Sequence, residues 1–325
     1  MRRPVRAVSV VLMPICAFDI SPDGAATPAD LSAPVPDGQY RWCHFDLADP
    51  ELPGFLSTNV PEIPAASLTA PETRPRCDAF DDGLMLNLRG VNLNEEGTAD
   101  QMVAVRMWVT RTLVVTVRMR RIFALNTMRE EAEAGSAPSS PMGFVGALTT
   151  ALMSRVRDTV FGLGLKVDDM EDDVVENTGA LSADLAEDRR MAIRFRRYLG
   201  PQRDALLALV EVKTDMMSKG QRARLREQAN IGKLAVEELD SLISRMTTVQ
   251  DRHNAETAKQ QARNGYVLSL VAAVFLPLGF ITGLFGVNVG GMPGVSSDWG
   301  FAILCAALVV LIALVVLVLR RMRWL

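Results

Sequence analysis

The chain has 325 residues, a hydrophobic fraction of 49%, 35 Lys and Arg against 38 Asp and Glu, and a formal net charge of −3. That length holds a soluble domain with residues to spare, and the near balance of charge lacks the basic footprint that nucleic-acid binding requires. The four cysteines, Cys16, Cys43, Cys77 and Cys305, stand singly, which excludes a disulfide framework and any Cys-x-x-Cys metal motif and fits a reducing cytoplasm.

Arg2, Arg3 and Arg6 precede an uncharged run, 7–18, with the outline of a secretory signal. Pro14 interrupts that run and Ile15 is too large for a lipoprotein site before Cys16, so a plain strand, or a start placed too far upstream, is expected instead. Residues 21–37, rich in Pro, Ala, Gly and Asp, read as a loop. A strand is expected over 40–47, and Leu84, Leu86 and Leu88 alternating with Met85, Asn87 and Arg89 predict a half-buried one. Val103, Val105, Met107 and Val109, a turn at Thr110-Arg111, and then Leu113, Val115, Val117 and Met119 predict an antiparallel hairpin. The basic run Arg118, Arg120, Arg121 reads as a solvated strand end or as a phosphate contact.

A Gly, Ser and Pro-rich linker, 135–143, closes an α/β region over 1–143. Helices follow through 144–264. Val145, Leu148, Leu152, Val156, Val160, Leu163, Val167, Met170 and Val174 step by three and four along one stripe, which ends at Asn177-Thr178-Gly179. A second helix is expected over 182–199, stopped by Gly200-Pro201, and a third over 202–213. A long helix then starts after Lys219-Gly220. Its seam at 225, 228, 232, 235, 239, 242, 246 and 249 predicts self-association, and the same seam turns polar at His253, Glu256 and Gln260. Copies of that polar stretch are expected to splay around water as a vestibule; a plain solvated helix is the alternative.

Residues 265–285 contain no ionisable group except Tyr266, and 21 residues at about 1.5 Å each span roughly the 30 Å of a hydrocarbon core. Residues 299–319 are equally long and richer in Leu and Val, so 265–325 reads as a transmembrane hairpin. Arg252, Lys259 and Arg263 precede the first span, Arg320, Arg321 and Arg323 follow the second, and the connecting loop 286–298 has no Lys or Arg. By the positive-inside rule both termini face the cytoplasm.

Thr282-Gly283-Leu284-Phe285-Gly286-Val287-Asn288, followed by Gly290-Gly291-Met292-Pro293-Gly294, resembles the pore-mouth signature of the CorA superfamily of divalent-cation transporters, in its ZntB branch. The stretch 196–204 and the terminal Arg323-Trp324-Leu325 resemble that branch too. Val287 stands where the magnesium branch usually has Met, and glycines follow where magnesium channels commonly place an acid. The resemblance implies an α+β cytoplasmic domain, an antiparallel sheet flanked by long helices, ahead of the two-helix hairpin in a funnel-shaped homopentamer of the bacterial inner membrane. It implies transport of Zn²⁺ or a related divalent cation with no cofactor, and it admits proton coupling. Gly286, Val287 and Asn288 would form the selective mouth, and Gly290, Gly291, Met292, Pro293, Gly294 and Asp298 the loop leading into it.

The first span has no Asp, Glu, His or Cys to strip and chelate Zn²⁺. Gly265, Leu268, Ala272, Leu276, Gly279 and Gly283 share one face with Asn288 and suit either a wet pore or close helix packing. The acidic face Asp168, Asp172, Glu176 reads as a metal site or as a solvated face paired with arginines, and His253 as a vestibule contact for zinc or protons. Cys43 and His44 alternate on a strand and so point to opposite faces. The absence of phosphate-loop, Gly-x-Ser-x-Gly and His-Glu-x-x-His motifs removes the usual signatures of ATP-driven pumping and of hydrolases. Two rivals remain: a magnesium, cobalt or nickel channel of the same superfamily, and a membrane-anchored metal sensor or scaffold.

Overall fold

The computed structural model describes residues 14–94, 101–176, 184–286 and 298–321, with backbone alone for 174–176. The chain forms two compact units, Met1–Val249 and Gln250–Leu325. The first is built on a seven-stranded sheet. Its strands are β1 (Cys16–Ile20), β2 (Ala26–Pro28), β3 (Tyr40–Asp46), β4 (Arg76–Phe80), β5 (Gly83–Gly90), β6 (Val103–Val109) and β7 (Leu113–Arg118), in the order β2-β1-β3-β7-β6-β5-β4. All neighbours are antiparallel except β3 and β7. The expected hairpin forms, with Val109 opposite Val114, while the loop expected over 21–37 also holds the short β2.

Strand alternation feeds two cores. Leu84, Leu86, Leu88, Val105, Met107 and Trp42 face the larger one, and Met85, Trp108, Val115, Val117, Cys43 and Phe45 face the smaller. The expected half-buried strand is therefore corrected: β5 is buried on both faces. Its second face is covered by two short helices that the sequence pattern did not reveal, α1 (Leu52–Asn59) and α2 (Glu62–Thr69), which contribute Leu52, Leu56 and Leu68.

The larger core is closed by α3 (Phe123–Glu133), α4 (Pro141–Glu176), α5 (Asp184–Glu211) and the first part of α6 (Lys219–Gly286). The linker 135–143 lies inside this unit, beside a core that continues from sheet to helices. The predicted stop at Gly200-Pro201 is also corrected, because α5 runs through Pro201. Tertiary contacts outweigh the missing N–H there: Leu199, Gln202, Ala205 and Leu206 are buried. The Gln202 amide accepts from Arg89 N at 2.6 Å and donates to Arg89 O at 2.9 Å, pinning α5 to β5.

The α6 seam receives a third correction. Leu225, Gln228, Gly232, Ala235, Leu239, Leu242, Met246 and Val249 are buried within the chain's own core. A Cβ on Gly232 would meet Met153 Cε at 3.5 Å and Arg203 Cα at 3.7 Å. Apolar atoms already packed in cis cannot also serve as a seam between copies.

The second unit contains the rest of α6 and α7 (Gly300–Arg321). Residues 250–264 have no large apolar side chain and continue the helix with local polar pairs, Gln250 Nε2 to Asn254 Oδ1 at 3.1 Å and Lys259 to Glu256 at 3.5 Å.

Candidate functional site

The apolar part of α6 begins at Gly265 because nothing charged follows Arg263, and it runs unbroken past Pro277 to Gly286. Pro277 removes the N–H that would otherwise reach the Ala273 carbonyl. One turn on, the Thr282 hydroxyl donates back to the Leu278 and Gly279 carbonyls at 2.9 and 3.2 Å, keeping its polar atom inside the helix.

The helix is uncovered. None of the most apolar window of α6, and only 6% of that of α7, is buried inside the chain. A core helix of a soluble protein would be mostly enclosed, so these two helices have the length, composition and exposure of membrane spans. On the predicted pore face, Leu268 and Leu276 are 71% and 74% exposed, Ala272 is exposed, and a Cβ at Gly265, Gly279, Gly283 or Gly286 would touch nothing within 4 Å. Gly286 is the last residue of α6. Val287, Asn288, Gly290, Gly291, Met292, Pro293 and Gly294 lie outside the described residues; Asp298 is exposed in the turn before α7.

Among the described residues no group of three His, Cys, Asp or Glu side chains is placed to hold a metal ion. Asp168 is engaged by Arg245 on α6, which also grips Glu171 with Nε–Oε1 at 2.9 Å and Nη2–Oε2 at 2.5 Å. That guanidinium holds the Glu171 carboxyl below its usual range and is itself pushed further up. Asp172 is exposed, the Glu176 side chain lies outside the described residues, and His253 is half-buried on α6. Asp168 and Glu171, through Arg245, clasp α4 to α6.

Cys43 and His44 are both buried and enter different cores or contacts, as alternation requires. His44 Nδ1 lies 2.8 Å from Thr116 Oγ1, which also accepts from Trp42 Nε1 at 2.9 Å. Burial, aided by the Arg118 charge, pushes the imidazole down to about 3, and burial raises the Cys43 thiol to about 12. The Cys43 thiol therefore stays protonated at neutral pH, and the neutral His44 ring faces Thr116 on the opposite side of the strand.

The basic run after β7 divides. Arg118 pairs with Asp46 at 3.8 Å and Arg121 stacks 4.9 Å above Phe123. Arg120 instead turns to a cavity bounded by the strand ends and α5, which also receives Arg74, Arg89, Arg106, Arg194 and Arg197. No sequence spacing announces that convergence, because its arginines come from separate elements.

Comparison with known proteins agrees with this architecture. The model of the CorA-like Mg²⁺ transporter protein family matches residues 37–321. The zinc transport protein ZntB of Yersinia pseudotuberculosis is 32% identical over 313 residues, covering 96% of both chains. That of Pectobacterium carotovorum is 33% identical over 311 residues, covering 95% of both. Among solved structures, full-length CmaX superposes with a TM-score of 0.84 at 28% identity, covering 96% of this chain and 98% of that one. With β3 to β7, all the helices and both apolar spans inside the matched region, this chain belongs to the CorA-like Mg²⁺ transporter family.

Proposed function

We propose that this protein carries zinc across the bacterial inner membrane through a central pore lined by the ends of α6 from several copies of the chain. Divalent-metal transport is the activity of the family, so the protein is a transporter and not an enzyme. Zinc as cargo rests on the ZntB relatives, which match along nearly the whole chain. The observation that carries the pore reading is the uncovered stripe Gly265, Leu268, Ala272, Leu276, Gly279 and Gly283, which leads through Gly286 into Val287-Asn288. Around a shared axis, small residues leave room for water. Asn288 amide oxygens and the Gly286 and Val287 carbonyls would accept hydrogen bonds from an ion's hydration shell. With no chelating side chain in the span, the ion passes hydrated and is released readily. The membrane potential contributes about 2.3 kcal/mol per charge per 100 mV. A homopentamer, both termini in the cytoplasm, and coupling to protons complete the proposal.

The second reading, a magnesium channel, is favoured by the description of the family model. Sealed liposomes containing the purified protein and a zinc dye separate the two when Mg²⁺ is added as competitor and a pH gradient is imposed. Zinc entry that follows the pH gradient supports proton-linked zinc transport; gradient-independent entry blocked by Mg²⁺ supports the channel. Asn288→Ala is expected to reduce flux at least tenfold with the oligomer intact, and unchanged flux would remove Asn288 from the selective mouth.

A further inference from the structure

We propose that the arginine-lined cavity of the soluble unit is a binding site for a polyphosphate-type anion, such as pyrophosphate or the phosphate chain of a nucleotide. The cavity measures about 740 Å³, within the range of small-ligand sites. Its walls come from the segment before β4, the ends of β5, β6 and β7, and α5. Among the described residues, six arginines, Arg74, Arg89, Arg106, Arg120, Arg194 and Arg197, line it with one acid, Glu72.

Arg106 supplies an independent observation that points to an anionic ligand. It is 1% exposed. One nitrogen, Nη2, donates to the Ala70 carbonyl at 2.8 Å, while Nε and Nη1 are enclosed without a hydrogen-bond partner among the described residues. Asn87, opposite Arg106 on β5, does not satisfy them, since its own Oδ1 is unpartnered too. Buried guanidinium groups are ordinarily matched by carboxylates because an uncompensated interior charge is costly. Here the diagonal neighbour on the same sheet face is another cation, Arg89, whose partner across the ladder is Ala104. Burial and this neighbour both push the Arg106 guanidinium down from its ordinary value.

Arg89 is held as a fixed wall. Its guanidinium lies 4.1 Å from the Tyr198 ring centre, and its two terminal nitrogens donate to backbone carbonyls, Nη1 to Met102 at 2.8 Å and Nη2 to Thr73 at 2.7 Å. Arg74, Arg120 and Arg197 are exposed at the same cavity. Arg194 has an interaction of its own; none of the other five forms an ion pair within 4.0 Å among the described residues. The arrangement is one buried cation, Arg106, and one half-buried and anchored cation, Arg89, beside three exposed ones. It suits an anion carrying several charges, which the fork-shaped guanidinium donors bind at two oxygens at a time. Orthophosphate would occupy only part of the volume.

The test is calorimetric titration of the purified full-length protein in detergent, free of divalent metal and at constant ionic strength, with pyrophosphate as probe. Orthophosphate and ATP form parallel arms. The expected result is saturable pyrophosphate binding, one per chain, tighter than orthophosphate, and weakened at least tenfold in Arg74→Gln/Arg197→Gln. Both substituted side chains are exposed, so the fold is expected to survive, and Arg111→Gln, on the distant β6–β7 turn, is expected to bind as the parent does. ATP binding as tight as pyrophosphate would identify a nucleotide as the source; much weaker ATP binding would identify the inorganic anion. Absence of saturable binding in every arm, or equal affinity in the double variant and the parent, would overturn the proposal.

Discussion

His44 shows how one buried side chain ties stability to pH. Its ring is 2% exposed, with Nδ1 beside Thr116 and Nε2 enclosed without a partner. The imidazole is held down to about 3 when folded, against about 6.5 when unfolded, so between those values the unfolded chain binds the extra proton. Stability from this group is full above pH 6.5 and is lost as pH falls toward 3. Acidification from pH 7 to pH 5.5 should cost about 1.3 kcal/mol through His44 alone. Thermal midpoints of the detergent-solubilised protein at the two pH values check this: His44→Gln is expected to flatten the difference whatever it does to the neutral-pH midpoint. An undiminished slope would place the acid sensitivity elsewhere.

Among elements, α5 and α6 are where local sequence rules and tertiary packing disagree. Pro201 costs a helix interior about 3 kcal/mol relative to Ala, yet α5 continues because the Gln202 amide closes on both backbone groups of Arg89 and because Leu199 and Leu206 are buried. Pro201→Ala is therefore expected to stabilise the protein by about 1–3 kcal/mol, read as a raised thermal midpoint. A lowered midpoint would show that the local backbone shape imposed by proline is needed for the Gln202 contact. In α6 the heptad-like spacing was legible, but its partner was not. Periodicity states that a face must be covered; it does not distinguish α4 and α5 of the same chain from α6 of another. The arginine cavity was hidden for a related reason, since only Arg120 belonged to a visible basic run and the other arginines converge through folding.

At the scale of the whole molecule, the two units meet their apolar demands differently. Unit 1 buries both faces of its sheet. Unit 2 leaves Phe275, Phe280, Phe301 and Val309 at least 66% exposed, and lipid or further copies of the chain must cover them. The basic flanks argue for both ends on one side. A fluorescent protein fused after Leu325 is expected to fluoresce in living cells, and alkaline phosphatase at the same point is expected to be inactive. The opposite pattern would reverse the assigned orientation.

The sequence by itself determined the two spans, the strand hairpin, the α4 stripe and the family. Each is encoded by residues close in the chain, through hydrophobic length, period-two or period-3.6 alternation, or a contiguous motif. Tertiary structure alone decided that β5 is buried on both faces, that α5 passes through proline, that Arg245 clasps Asp168 and Glu171, that the α6 seam is filled in cis, and that arginines from five places line one cavity. Each of these depends on groups distant in sequence, whose proximity is set by packing and charge compensation in three dimensions.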